Sequence, residues 1–127
     1  MANRRLNQFR LSYEPQVVEI YAVIDIGATG EPTISRAKGV TSITRNSAGN
    51  YTLLLNDAFN GVLHVGVSQL LESGALDAPI CKIESADLSS AAQTVVLQFY
   101  AIDNSTATDP DDGAQLMIHI AARNSSI

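Results

Sequence analysis

The sequence predicts an all-β fold, a single antiparallel β-sandwich or barrel of about seven strands. Three observations predict it: runs of β-branched and aromatic residues recur along the chain, turn-forming residues separate them, and no long amphipathic helix is needed. The length of 127 residues suits one domain. We expect residues 15–123 to form the core, between a flexible N-terminal arm at 1–14 and a short tail at 124–127.

The first strand signal spans residues 16–26. Its even-numbered face, from Val18 to Ile26, is apolar throughout, whereas Glu19 and Asp25 share the other face with Tyr21 and Val23. This alternation is typical of a strand with one face in the core. A Gly-Ala-Thr-Gly break follows, and a proline at position 32 confines the next segment to an edge strand or a loop.

A β-hairpin is the clearest unit in the sequence. Residues 40–45 and 51–55 are strand-like, and the five residues 46–50 between them are turn-forming. Gly49 can adopt the positive φ that tight hairpin turns require. We expect Ile43 and Leu53 to be largely buried.

Four further strands are predicted toward the C-terminus, over 62–70, 79–84, 93–102 and 114–122. Gly66 inside the first of them suggests a bulge or a close backbone contact. The polar residues 85–92 are expected to form a loop.

Two of these strands carry apolar residues on both faces. Val96, Tyr100 and Ile102 lie opposite the core-facing residues of their strand, and Met117 does so in the last strand. Only one face of a strand meets the core of a two-layer sandwich, so the second apolar face needs a cover. A neighbouring subunit is the simplest cover, and the loop 85–92 is the alternative. Val96, Tyr100 and Met117 are therefore candidate interaction residues.

Charge is sparse and unevenly placed. The net charge is −5, and charged residues make up 17% of the chain, below the ~25% usual for globular domains. Arg4, Arg5 and Arg10 give the arm a positive charge ahead of an acidic body. Such an arm suits electrostatic docking to an acidic partner surface, although a solvated terminus is the alternative.

Several partners are not expected. Three arginines without interleaved aromatic residues make too small a footprint for nucleic acid. No apolar run approaches the ~20 residues that span a bilayer, so we expect no membrane contact. The charged N-terminus without an apolar run does not resemble a secretory signal.

The residue types that carry chemistry are scattered, and we expect no enzyme and no cofactor. His64 and His119 lie in predicted strands without a ligand partner at short spacing. Cys81 is the single cysteine, to be interpreted as a small buried hydrophobe or, alternatively, as a reactive thiol. The acidic loop 103–113 is the one candidate calcium site, but it lacks the EF-hand spacing, so we expect a solvated turn and no metal.

Residues 35–65 carry a family resemblance. Within them, Gly39-Val40-Thr41-Ser42-Ile43-Thr44-Arg45 is followed by a turn of small residues, then Gly49-Asn50-Tyr51-Thr52, then Asp57-Ala58-Phe59. This pattern resembles small virion proteins of tailed bacteriophages, among them head decoration (cement) proteins. Hairpins of similar composition also occur in tail and fibre proteins.

The resemblance implies a structural role and brings no catalytic residues with it. It implies a protein made in the host cytoplasm that docks on the capsid surface of the virion, with the major capsid protein as partner. It also implies a homotrimer or another small homo-oligomer, since decoration proteins commonly sit on local threefold axes. The alternatives are a tail, fibre or head-to-tail component, or a non-viral β-sandwich binding module.

Overall fold

The computed structural model describes residues 16–71, 79–101, 103 and 105–124. The arm with Arg4, Arg5 and Arg10 lies outside these residues, as do Ile102 and residues 125–127. The described residues form eight strands, with these bounds: β1 Val17–Ile26, β2 Pro32–Lys38, β3 Val40–Ser47, β4 Asn50–Leu55, β5 Gly61–Leu70, β6 Ile80–Asp87, β7 Thr94–Tyr100 and β8 Gln115–Arg123.

The strands form two four-stranded antiparallel sheets. The front sheet has the order β2-β1-β8-β5, and the back sheet has the order β3-β4-β7-β6. The chain passes from front to back between β2 and β3 on one side of the sandwich, and between β5 and β6 on the other. The predicted all-β sandwich is thus confirmed, with eight strands in place of about seven.

The core lies between the sheets and follows the alternation in the sequence. The even-numbered residues of β1 from Ile20 to Ile26 are buried, as are Val95, Leu97 and Phe99 in β7. Every second residue of β8, from Leu116 to Ala122, is buried in the same core. Tyr51 packs edge-on against Phe99, with ring centroids 5.7 Å apart. The core-facing side predicted for these strands is confirmed.

The predicted hairpin is β3–β4, but its turn is tighter than expected. Only Ala48 and Gly49 separate the strands, and Gly49 adopts a φ of 70°. A register shift near the end of β3 absorbs one residue that would otherwise lengthen the loop. Leu53 is fully buried, whereas its cross-strand partner Ile43 is only partly buried, because β3 is an edge strand. The predicted burial is thus complete for Leu53, and Ile43 packs against the core from the edge with part of its side chain exposed.

Two other predictions are refined at the edges of the sheets. Pro32 begins the edge strand β2, as expected. The bulge in β5 falls at Leu63 and not at Gly66. β6 continues to Asp87, so part of the expected loop 85–92 is a strand, and Leu88 after it is buried in the core.

Candidate interaction surface

The outer face of the front sheet is built from side chains of β1, β5 and β8 that point away from the core. Tyr21 pairs across the strands with His119, which in turn pairs with Gly66. In the next row, Met117 lies between Val23 and Ser68. Together with His64 these residues line an open groove of about 470 Å³.

Aromatic contacts organise this groove. The rings of Tyr21 and His119 stack at 4.7 Å with an interplanar angle of 14°, and the His64 ring is tilted against His119 at 5.8 Å. Gly66 leaves room for the His64 ring, because a Cβ at position 66 would lie 2.7 Å from Cε1 of His64. The close contact at Gly66 is thus with a side chain and not with another backbone.

Two histidines far apart in the sequence are therefore neighbours. Nε2 of His119 is buried without a hydrogen-bond partner and lies 3.7 Å from Oε1 of Glu19. Sequence reasoning treated His64 and His119 separately. Only the pairing of β5 with β8 reveals that they share a face.

Large exposed hydrophobic side chains continue from this face around the adjoining edge of the sandwich. The face carries Tyr21 and Met117, which are 56% and 42% exposed. We name the whole surface the apolar corner, and its other exposed members lie on the edge strands β5 and β6: Val62, Leu63, Leu70 and Ile83. Among the described residues, eight large hydrophobic side chains are exposed. Leu54 and Ile80 are the two outside the corner, since Ile80 pairs with Tyr100 on the outer face of the back sheet.

The structure separates the candidate interaction residues that the sequence predicted. Met117 belongs to the apolar corner, whereas Val96 and Tyr100 lie on the outer face of the back sheet, on the opposite side of the sandwich. Val96 is partly buried between the polar residues Thr52 and Ser85. The three residues therefore do not form one surface.

Lys82 and Tyr100 form a second contact on the back sheet. The ammonium group of Lys82 lies 5.0 Å from the centre of the Tyr100 ring, within the range of a cation–π contact. Hydrogen bonds from Asn50 to Glu84 and Gln98 continue this polar character along the same face. The outer face of the back sheet is thus suited to contact with water.

Asp109 connects the acidic loop to the β3–β4 hairpin. Its carboxylate accepts hydrogen bonds from Arg45 at 3.0 and 2.7 Å and from the backbone N–H of Gly49 at 2.7 Å. The hydroxyl of Tyr51 lies 3.1 Å from the same carboxylate and 2.7 Å from the carbonyl oxygen of Gly30. The expected solvated turn is therefore wrong at Asp109, whose carboxylate is engaged within the protein.

The electrostatics of this network follow from its contacts. The hydrogen bond from Arg45 holds the pKa of Asp109 below its ordinary value. Burial and the neighbouring carboxylate raise the pKa of Tyr51, so its hydroxyl remains protonated and can donate. The network joins three loops of the sandwich, those that hold Gly30, Gly49 and Asp109.

Cys81 and the acidic groups were the other candidates for chemistry. Burial raises the pKa of the Cys81 thiol to about 11, which favours the small hydrophobe over the reactive thiol. Across the residues that the structure describes, no three His, Cys, Asp or Glu side chains are grouped to hold a metal ion.

Comparisons with known proteins found no relative of the chain. Family models, curated proteins and solved structures gave no match to the chain. Among residues 16–71, 79–101 and 105–124, no helix is long and apolar enough to cross a membrane.

Proposed function

We propose that the protein is a structural virion component that docks on and stabilises the capsid of a tailed phage, in the manner of a decoration protein. The observation that carries the proposal is the apolar corner. Large apolar patches on a soluble protein mark surfaces that another molecule covers. Strands present the patch on a rigid framework, which suits a permanent subunit contact better than a transient one.

The hairpin resemblance supports the choice of a virion. Residues 40–52 of the pattern lie in β3, the two-residue turn and β4, so this part of the motif is one structural unit, whereas Asp57-Ala58-Phe59 follow β4. Its polar side chains are ordered by contacts such as the hydrogen bonds of Asn46 with Asn50 and Thr52. An ordered polar hairpin of this kind can present a fixed surface to a capsid subunit.

The arm supplies the electrostatic part of the proposal. Arg4, Arg5 and Arg10 precede a body whose charge makes the chain net negative at −5. A positive arm is attracted to acidic capsid surface, while the body is repelled by it, so the arm orients the protein as it docks. Binding only to the assembled capsid would stabilise that assembly through linkage.

Addition of the purified protein to capsids that lack it tests the proposal. We expect binding to the capsid and a rise in the temperature at which the capsid disassembles. Substitution of Arg4, Arg5 and Arg10 by serine should weaken binding by at least tenfold at low salt and leave the melting temperature of the isolated protein unchanged.

The location of the protein in virions separates the capsid role from its alternatives. Mass spectrometry should find it in capsids purified without tails. Recovery with tails or fibres alone would contradict the decoration role, and absence from both fractions would contradict any virion role.

A further inference from the structure

Both histidines of the chain meet on the outer face of the front sheet. The sequence contains two, His64 and His119, and their rings lie 5.8 Å apart on the neighbouring strands β5 and β8. Histidine is the side chain whose charge ordinarily changes between about pH 5 and 8. The side-chain charge that the protein gains on mild acidification is therefore concentrated at one place in the apolar corner.

We propose that His64 and His119 form a pH switch: the apolar corner holds its partner while the rings are neutral and releases it when both carry a proton. The inference rests on the proposed function, because the partner is the capsid surface that covers the corner. It adds regulation by pH, which the apolar side chains of the corner cannot supply because they do not titrate.

Glu19 makes the two protonation steps unequal. Nε2 of His119 is buried without a hydrogen-bond partner and lies 3.7 Å from Oε1 of Glu19, so a proton at this nitrogen converts the contact into an ion pair. The described residues offer His64 no carboxylate at ion-pair distance. The first positive charge of the pair is therefore neutralised by a neighbour, whereas the second is not.

The surrounding groups oppose the second charge. Three cations and one carboxylate are the other charged side chains of this face: Arg36, Lys38, Arg123 and Asp25. The Asp25 carboxylate lies two rows from His119 and accepts a hydrogen bond from Gln115 at 2.7 Å. The phenol of Tyr21 stacks on His119, and a phenol ordinarily titrates near pH ~10, above the range of the switch. Like charges therefore dominate the surroundings of a doubly protonated pair.

A docked partner makes this second charge costly. His64 is exposed in the uncovered protein, so water can solvate and screen a proton on its ring. A partner on the corner excludes that water, and a desolvated charge without a counterion is unfavourable. Release of the partner then takes up about one proton per copy, so affinity is complete above the range in which histidine titrates and is lost as the pH falls through it.

Gly66 keeps the two rings together. It lies opposite His119 in the strand pairing, and a Cβ at position 66 would lie 2.7 Å from Cε1 of His64. The substitution Gly66→Ala therefore displaces the His64 ring and retains both titrating groups. It separates the effect of ring proximity from the effect of histidine content.

Binding of the full chain to capsids that lack it, measured from about pH 7.5 to 5, tests the switch. For the wild type, we expect Kd to rise by about tenfold per pH unit below about pH 6.5, as uptake of one proton requires. His64→Gln should make Kd nearly independent of pH, because Glu19 neutralises the one charge that remains. Glu19→Gln should make the rise steeper, up to about a hundredfold per unit, because neither charge is then neutralised.

Three controls isolate the pair. The double variant His64→Gln/His119→Gln leaves the chain without histidine, so its profile reports the pH dependence of the capsid alone. Gly66→Ala should give a smaller rise in Kd than the wild type. Met117→Lys on the covered face should weaken binding at about pH 7.5 by at least tenfold, whereas Leu54→Lys on the back sheet, the matched control, should not. Circular dichroism at both ends of the pH range checks that every variant is folded.

The outcomes separate the switch from the proposed function. Equal pH profiles of the wild type and the double variant overturn the switch alone, and so does a Glu19→Gln profile no steeper than that of the wild type. Unchanged binding of Met117→Lys at about pH 7.5 shows that the capsid does not cover this face, which also overturns the switch. A wild type that fails to bind at neutral pH overturns the proposed function, and the switch with it.

Discussion

Asp109 shows how much one side chain can connect. It lies in a loop that the sequence marks as acidic and exposed, yet its carboxylate contacts Arg45, Gly49 and Tyr51 in the neighbouring hairpin. The position of Gly30 is part of the same site, because a Cβ there would lie 2.6 Å from the Asp109 carboxylate. Tertiary contacts of this kind turn a surface loop into a structural connection.

Removal of the Tyr51 hydroxyl should destabilise the protein. Tyr51→Phe leaves the Gly30 carbonyl and the Asp109 carboxylate without this donor in a buried site, so we expect a loss of about 1–3 kcal/mol in the free energy of unfolding. Urea denaturation measures the loss. Tyr100→Phe is the control, since the Tyr100 ring contacts Lys82 and the described residues offer its hydroxyl no hydrogen bond. Equal effects of the two substitutions would contradict the assigned role of the network.

The Asp109 contacts should make stability depend on pH in acid. Its pKa is lowered in the folded protein, so its contribution to stability is complete above the ordinary value of 3.8 and is lost as pH falls through the folded-state pKa. The difference in melting temperature between the wild type and Asp109→Asn should therefore be largest near neutral pH and shrink below pH 3.8. Asp112→Asn, at an exposed position of the same loop, is the matched control. A difference that is constant from pH 7 to ~2.5 would refute the linkage.

At the scale of the elements, the β3–β4 hairpin shows why some boundaries escape sequence reasoning. Residues 46–50 are all turn-forming in type, so composition predicts a five-residue loop. In the structure, Ser47 pairs with Asn50, and the turn is reduced to two residues. Pairing with a neighbouring strand decides such a boundary, and composition does not include that information.

Gly49, in the β3–β4 turn, is the glycine with the strongest steric requirement. Its φ of 70° favours glycine, and an added Cβ would lie 2.5 Å from the carbonyl oxygen of Phe99. Gly49→Ala should therefore cost about 1–3 kcal/mol of stability. In Gly27→Ala the nearest atom to the new Cβ is 3.5 Å away, so this control should remain within about 1 kcal/mol of the wild type. Denaturant titration of both variants checks the difference, and a neutral Gly49→Ala would show that the turn can rearrange.

For the whole molecule, the distribution of exposed hydrophobic side chains is the central feature. The outer face of the back sheet is largely polar and carries two large exposed hydrophobic side chains, Leu54 and Ile80. The outer face of the front sheet and the β5–β6 edge carry the other six of the described residues. In a single copy, the described residues leave this corner exposed. Stability and assembly should therefore be coupled.

The melting temperature should rise with protein concentration if copies cover the corner. A tenfold increase in concentration changes the free energy of an association step by about 1.4 kcal/mol, which corresponds to a shift of roughly 2–5 °C for a chain of this size. Differential scanning calorimetry at 5 and 50 µM measures the shift. Met117→Lys should show no dependence on concentration, and a wild type with none would contradict the coupling.

Alternation within strands was sufficient to predict the fold class and much of the core. The buried faces of β1, β7 and β8 follow from residues two apart, because a strand places alternate side chains on opposite sides. The edge position of β2 follows from Pro32, which has no N–H to donate to a second neighbour. These features depend on local chemistry, which the sequence contains in full.

The candidate surface was decided by tertiary structure alone. The sequence identified Met117, Val96 and Tyr100 as apolar residues on outer faces, but it could not assign strands to sheets, and the structure places Met117 on one sheet and the other two on the opposite one. His64 meets His119, and Arg45 meets Asp109, only because strands and loops distant in sequence pair in space. Local periodicity determines which way a side chain points, whereas long-range strand pairing determines what lies beside it.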